Sequence, residues 1–131
     1  MSHILFSVVY HPPNAISHVT SSHIVENVDA VVRQHPYTGV MIMGDFNKMA
    51  DKQLRDLGLK QIVKVATRKS ATLDKMYTNI SEWYQQPSTL PSISSDHESV
   101  ILLMESAMAN IKPGSATWRK CEATTETARH N

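Results

Sequence analysis

The fold is decided by the stretch Val40-Met41-Ile42-Met43-Gly44-Asp45-Phe46-Asn47, in which an apolar run ends at a glycine and two polar side chains follow it. Such a run is typical of a buried β-strand whose C-terminal end opens into a turn. Because side chains alternate along an extended backbone, Asp45 and Asn47 are predicted to point the same way, with Phe46 turned back to the core. An acid and an amide at one strand end suit a phosphate or a metal-bound water, so we expect a ligand site here.

A strand, a helix and this central strand are predicted to form the first part of the chain. Residues Ile4 to Tyr10 are apolar and rich in strand-forming types, and two prolines follow them. From Ser17 to Gln34 apolar residues recur at helical spacing, Ser17 or Asn14 is expected to cap the helix, and Pro36 ends it. The recurring residues are Val19, Ile24, Val28, Val31 and Val32. The two strands are therefore expected either to pair in parallel through a right-handed crossover or to be bridged by the helix within a mixed sheet.

Shorter elements are predicted after the central strand. Asp51 to Leu57 has the pattern of a short helix, which Gly58 would close. Leu59 to Val65 is expected to form a brief strand, and Ser81 to Pro91 is rich in turn-forming residues.

Two further acidic elements stand next to predicted strands. In the short strand from Leu73 to Tyr77, alternation places Asp74 on the same face as Met76. The pair Asp96-His97 precedes an apolar run that reaches Met104, so it is predicted to lie at the start of another buried strand. A second polar group is thus expected at a strand end.

Length and composition exclude several classes of protein. A chain of 131 residues is expected to form at most one domain. The sequence shows no apolar span long enough for a membrane helix and no secretory signal, so we expect a soluble intracellular protein. The only cysteine, Cys121, cannot form an internal disulfide.

The near-neutral net charge of +1 conceals a basic segment. Its cations are Lys48, Lys52, Arg55, Lys60, Lys64, Arg68, Lys69 and Lys75, against the three acids Asp51, Asp56 and Asp74. A basic segment beside a phosphate site is consistent with a polyanionic ligand. A solvated helix face followed by a loop is the alternative, which charge alone favours.

Four motifs in this order carry a resemblance to a known family: Tyr10-His11-Pro12, Gly44-Asp45-Phe46-Asn47, Leu73-Asp74 and Ser95-Asp96-His97. Together they resemble the endonuclease/exonuclease/phosphatase superfamily of metal-dependent phosphodiesterases, from about Leu5 to Met104. The sequence from Ala66 to Asn79 is most similar to the endonuclease domains of LINE-type retrotransposon polyproteins.

The resemblance implies an α/β (α+β) sandwich, namely a truncated four-layer DNase I-like fold with a mixed β-sheet and flanking helices. Residues 1–104 would form a partial domain, and residues 105–131 are expected to be a disordered tail. Because the family's first sheet precedes the matched region, one face of the remaining sheet is expected to lack its packing partner.

The resemblance also implies roles for the motif residues that face the substrate. Asp45 would orient or deprotonate the attacking water, and Asn47 would bind the scissile phosphate. Tyr10 matches a tyrosine that contacts the phosphate near the metal in the abasic-site enzymes.

The remaining motif residues would act on the metal and on developing charge. Asp96 would ligate Mg²⁺, or Mn²⁺, or support its water shell. His97 would hydrogen-bond the phosphate, with Asp74 accepting from its other ring nitrogen. These roles agree with the needs of phosphodiester cleavage, which are a hard cation, a positioned water and donors for the transition-state charge.

The chain departs from the family pattern before Tyr10. The family's N-terminal asparagine and its metal-binding glutamate are absent, and no acidic residue precedes Tyr10. Two functions therefore stay open: a Mg²⁺-dependent endonuclease-type domain that acts on DNA, in truncated form with little or no activity, or a non-catalytic remnant that binds nucleic acid or metal weakly. A phosphatase-like or sphingomyelinase-like member fits the retroelement phrasing less well.

The expected partners and location follow from the same resemblance. They are DNA, the missing N-terminal half of the domain and a downstream reverse transcriptase, in the nucleus or the cytoplasm.

Each motif also has a plain structural alternative. In this alternative the pairs Asp45 with Asn47 and Asp96 with His97 would belong to ordinary turns. Asp74 would be an acid exposed to solvent, and Tyr10 would only pack against its neighbours. Stacking of Trp83 or Trp118 on bases is a weaker alternative to incidental packing, and the other histidines show no ligand spacing and are predicted to lie on the surface.

Overall fold

The computed structural model describes residues 3–92 and 94–105 and has an α+β fold with a mixed sheet. Within these ranges the strands and helices follow in the order β1 (Ile4–Tyr10), α1 (Ser17–Gln34), β2 (Gly39–Asp45), α2 (Lys52–Asp56), β3 (Lys60–Gln61), β4 (Asp74–Thr78), β5 (Ser88–Leu90) and β6 (Ser99–Ile101). A single turn of 3-10 helix spans Ser81–Trp83. The predicted tail lies, apart from Glu105, outside the described residues, and so do Trp118 and Cys121.

The predicted strand, helix, strand unit is confirmed. β1 and β2 pair in parallel, from Ile4 opposite Gly39 to Tyr10 opposite Asp45, and α1 connects them. The predicted helix cap is wrong, because Ile16 precedes the first turn and no side chain caps it. The hydroxyl of Ser17 instead accepts a hydrogen bond from the backbone N–H of Ala50, 3.1 Å away.

The four-stranded sheet has the order β1-β2-β4-β3. β4 runs antiparallel to β2, and β3 runs antiparallel to β4. β3 is much shorter than the predicted strand from Leu59 to Val65. The reason is local: the side-chain amide of Gln61 accepts from the N–H of Val63 at 2.6 Å and donates to its carbonyl at 2.8 Å, so these backbone groups bond to a side chain instead.

One face of the sheet packs against the two helices. Buried residues on that side include Val28 from α1, Ile42 from β2 and Leu54 from α2. Phe46 is fully buried, as predicted, and its ring meets that of Tyr77 edge to face with centroids 5.0 Å apart. Of the helical residues predicted from periodicity, Val19 is 58% exposed and takes no part in this core.

The opposite face is covered in part by a two-stranded sheet. β5 and β6 pair antiparallel, and Val100 and Leu102 pack against the buried residues Met41 and Met76. The prediction of a buried strand beginning at Asp96-His97 was wrong, since β6 begins at Ser99 and is only half-buried. Its pairing partner β5 lies in the region predicted as turns. Because β5 has only three residues, the ladder between the two strands cannot be longer.

The outer part of this face is bare. Phe6, Val8 and Tyr10 on the edge strand β1 are 60%, 82% and 67% exposed. Their register with Met41, Met43 and Asp45 places them on the face that β5 and β6 cover further along the sheet. An uncovered apolar sheet face was expected, and it is present among the described residues. No helix in the same ranges combines the length and apolar character needed to cross a membrane.

Candidate active site

Strand pairing brings Asp45 and Asp74 together at one end of the sheet. Asp45 ends β2, Asp74 begins β4, and the antiparallel register places the two opposite each other. Both lie on the face that carries Met43 and Met76, so the predicted alternation of β4 is confirmed. Gly44, next to Asp45, permits the close approach of β2 to β1, because a β-carbon there would lie 1.8 Å from the carbonyl oxygen of Val9 and its φ of +148° is unfavourable for other residues.

His97 joins the acids from a different part of the chain. Its Nδ1 lies 2.7 Å from Oδ2 of Asp74, as expected for the pair. A carboxylate can only accept, so Nδ1 carries the hydrogen and Nε2 is left to face the cleft. The hydrogen bond to Asp74 raises the pKa of His97 above its usual value, and the negative charges of Asp74, Asp45 and Asp96 act in the same direction.

The gap between Asp45 and His97 has the size of one small ligand. Oδ2 of Asp45 lies 4.0 Å from Nε2 of His97, which is too long for a direct hydrogen bond and suits a bridging water. Oδ1 of Asp45 accepts from the backbone N–H of Asn47 at 3.0 Å. A cleft of about 300 Å³ adjoins Asp45 and Asp74, and Lys75 and the exposed Glu98 also line it.

Asn47 does not adopt the extended geometry that the sequence predicted. β2 ends at Asp45, and Asn47 has a φ of +47°, so the alternation argument does not apply to it. Its Nδ2 donates to the backbone carbonyl of His11 at 2.6 Å. His11 was predicted on the surface but is 2% exposed, because it lies between the end of β1 and α1, where its Nδ1 is 2.8 Å from Oγ1 of Thr20.

Tyr10 lies beside the cluster without a described bond to it. The parallel register places Tyr10 directly next to Asp45 on the same face of the sheet. Its side chain is 67% exposed and therefore accessible to a ligand in the cleft. The predicted contact of Tyr10 with a phosphate stays a prediction.

Asp96, the predicted metal ligand, is held away from the cluster by an arginine. Its Oδ2 lies 2.6 Å from Nε of Arg68, and both side chains are about half exposed. This hydrogen bond lowers the pKa of Asp96. Asp96 is not among the residues whose ligand atoms converge in the cluster, and its predicted role stays a prediction.

Thr67 is a site residue that the sequence reasoning missed. It is fully buried, and its hydroxyl accepts from the N–H groups of Leu73 and Asp74 at 3.0 and 3.1 Å. Its backbone carbonyl accepts from the N–H of Glu98 at 2.6 Å. Thr67 therefore connects the segment that carries Asp74 to the segment that carries His97. No sequence signal separates this threonine from the other polar residues of its loop.

A divalent cation fits the central cluster. Ligand atoms of Asp45, Asp74 and His97 lie within 4.8 Å of one another. The two carboxylates supply the hard oxygens and the charge that Mg²⁺ or Mn²⁺ requires. A neutral His97 would add a nitrogen ligand, which Mn²⁺ accepts more readily than Mg²⁺, whereas a protonated His97 would leave the metal to the carboxylates.

Comparison with models of protein families, with curated proteins and with solved structures found no match to this chain. The chemical interpretation of the cluster therefore rests on its own geometry. An imidazole with a carboxylate behind it and a second carboxylate across a water-sized gap can position a water, accept its proton and donate to an anionic substrate.

Proposed function

We propose that the chain is part of a DNase I-like domain of the endonuclease/exonuclease/phosphatase type, similar to those of LINE-type retrotransposons. In this proposal its reaction is metal-dependent hydrolysis of a phosphodiester bond in DNA. The observation that carries the proposal is the convergence of Asp45, Asp74 and His97, which come from three separate motifs, on one small cleft.

The two carboxylates and the imidazole divide the chemistry between them. Asp45 presents Oδ2 toward His97, where it orients a water and accepts its proton as the water oxygen attacks phosphorus. The bond from phosphorus to the leaving sugar oxygen breaks in this step, and the departing oxygen takes up a proton from solvent water. Because the pKa of His97 is raised, its imidazole is protonated over a wider pH range, and Nε2–H donates to a phosphate oxygen as charge develops there.

Asp74 acts on the substrate through His97. Its carboxylate fixes the ring orientation and stabilises the imidazolium form. The carboxylates of Asp45 and Asp74 would hold Mg²⁺ or Mn²⁺, which when bound supplies Lewis-acid stabilisation of the phosphate. Asp96 would join them after release by Arg68.

A second candidate function is binding without turnover. One observation favours it: Arg68 already pairs with the carboxylate of Asp96. In this case the cluster would bind a divalent cation or a nucleic-acid strand without hydrolysing a phosphodiester bond.

Nicking of supercoiled plasmid decides between the two. The purified chain is incubated with Mg²⁺ or Mn²⁺, beside EDTA and beside the double variant Asp45→Ala, His97→Ala. Nicking that requires the cation and disappears in the double variant is the expected result. Absence of nicking by a sample whose circular dichroism shows a folded protein would overturn the hydrolytic proposal and favour binding alone.

A matched control removes the same two residue types elsewhere. In α1, Asp29 forms an exposed ion pair with Arg33, and His18 is exposed. The variant Asp29→Ala, His18→Ala should nick at the wild-type rate. Equal loss in both double variants would mean that the nicking does not arise at the cluster, or arises from a contaminant.

A further inference from the structure

A second cleft, larger than the one beside Asp45, lies away from the acidic cluster. It holds about 570 Å³ at the β3 edge of the sheet, between α2 and the segment that follows the 3-10 turn. Its polar lining consists mainly of three cations and three amides: Arg55, Lys60, Lys64, Gln61, Gln85 and Gln86. No carboxylate lines it, which sets it apart from the cleft at Asp45.

The nearby acids are already paired, and one of them pairs with a cation of the cleft. Asp51 accepts from the hydroxyl of Tyr77 at 2.8 Å and from Nε of Arg55 at 2.9 Å. Asp56 pairs with Lys52 at 2.7 Å. Among the described residues, Lys60 and Lys64 form no ion pair. The cleft therefore carries uncompensated positive charge.

The walls of the cleft are fixed by hydrogen bonds. Nε2 of Gln86 donates to the carbonyl of Ile62 at 2.8 Å, and Nζ of Lys64 donates to the carbonyl of Gln61 at 2.7 Å. The amide of Gln61 is itself bonded to Val63. Side-chain amides and cations held together in an open cleft are groups that proteins use to bind backbone phosphates.

The cleft lies within reach of a strand bound at the acidic cluster. Lys60 pairs with Thr78 at the far end of β4, four residues from Asp74. At about 3.3 Å per residue this separates the two sites by roughly 13 Å along the strand. Phosphates of one strand of a duplex recur every ~3.4 Å along its axis, so roughly four of them span that distance.

The positive charge of this cleft would help the proposed substrate to bind. The cleft at Asp45 is lined by three carboxylates and one lysine, namely Asp45, Asp74, Glu98 and Lys75. Its net negative charge repels a polyanion, and a separate cationic contact would offset this repulsion. We propose that Lys60 and Lys64, which line the larger cleft beside the acid-paired Arg55, form a second binding site for the phosphate backbone of the nucleic-acid strand that is cleaved at Asp45 and His97. This inference rests on the proposed function for the identity of its ligand.

The test measures binding without hydrolysis. A fluorescently labelled DNA duplex is titrated with the chain in EDTA, by anisotropy, over a series of salt concentrations. For Lys60→Gln with Lys64→Gln we expect weaker binding and a slope of log K against log [salt] that is smaller in magnitude by about 1.8, the value for two lost phosphate contacts on duplex DNA.

The control variant removes the same charge outside the cleft. Lys52→Gln with Arg33→Gln takes away two exposed cations that already pair with acids, so its slope should change by much less than that of the cleft variant. Equal changes of slope in the two variants would show that only the net charge of the chain matters, and would overturn the proposal. An unchanged slope in the cleft variant would also overturn it.

A second arm separates a nucleic-acid strand from a small anion. Thermal unfolding is followed with inorganic phosphate in place of DNA. Stabilisation of the wild type but not of the cleft variant, together with an unchanged DNA slope, would assign the cleft to a free phosphate and overturn the strand site. If the plasmid is not nicked but the DNA-binding slope changes as expected, only the hydrolytic function is contradicted.

Discussion

Nδ1 of His97 lies 2.7 Å from Oδ2 of Asp74, although the two residues are 23 positions apart in the sequence. This contact joins the segment before β6 to the first residue of β4, and the register of β4 with β2 then brings Asp45 alongside. One side-chain pair and one strand pairing therefore build the cluster.

Replacement of Asp74 by asparagine should lower the pKa of His97 toward about 6.5, its usual value. The hydrogen bond from His97 to the Asp74 carboxylate is the main cause of the raised pKa, and the amide removes both this acceptor and its charge. An NMR titration of the His97 ring protons measures the change. The variant Asp29→Asn, which alters an acid of α1, should leave that titration unchanged.

The same shift predicts how stability depends on pH. Because the pKa of His97 is higher in the folded chain than in the unfolded chain, its contribution is fully present below about pH 6.5 and is lost as the pH rises through the folded value. Denaturant unfolding of the wild type and of Asp74→Asn across this range measures their free energies of unfolding. The difference between the two free energies should become smaller toward high pH. A difference that widens with rising pH would contradict the assignment.

Thr67→Val should loosen the cluster and destabilise the chain. Valine retains the shape but leaves the N–H groups of Leu73 and Asp74 without their acceptor. Each buried unsatisfied donor costs about 1–3 kcal/mol, and because Asp74 is only half-buried we expect a total of about 2–4 kcal/mol in urea unfolding. Thr67→Ser keeps the hydroxyl and should lose much less. Similar losses in both variants would assign the effect to packing of the methyl group.

Arg68→Ala should free Asp96 without unfolding the chain. Its pKa should rise toward the usual value, because the hydrogen bond from Arg68 is the first cause of its depression. The ion pair is exposed, so little change in unfolding free energy is expected. If Asp96 is a metal ligand, Mn²⁺ should bind more tightly to this variant in isothermal titration calorimetry. Unchanged or weaker Mn²⁺ binding would exclude Asp96 from the metal site.

Val8→Lys should suppress self-association through the edge strand. Val8 is 82% exposed in a strand that lacks charge, proline and glycine, features by which edge strands commonly resist pairing with another chain. Light scattering at rising concentration should show less association than in the wild type, with the unfolding midpoint preserved. Val9→Lys places the charge against the helix-side core and should instead destabilise the fold. An unchanged scattering profile for Val8→Lys would show that β1 does not mediate association.

Much of the fold was predictable from local pattern. The bounds of β1 and α1 match the prediction because periodicity and proline act within a few residues of each end. Alternation alone correctly placed Asp74 on the face of Met76. The contact between Asp74 and His97 was expected from the family resemblance and is present.

What the sequence by itself determined is the order of the elements, the buried central strand and the chemical types at the strand ends, since propensity and periodicity are properties of neighbouring residues. The tertiary structure alone decided that Arg68 holds Asp96, that Thr67 connects two segments and that Lys60 and Lys64 share one cleft. These contacts depend on strand register and on loop paths. Residues far apart in the chain meet only when the whole sheet has formed.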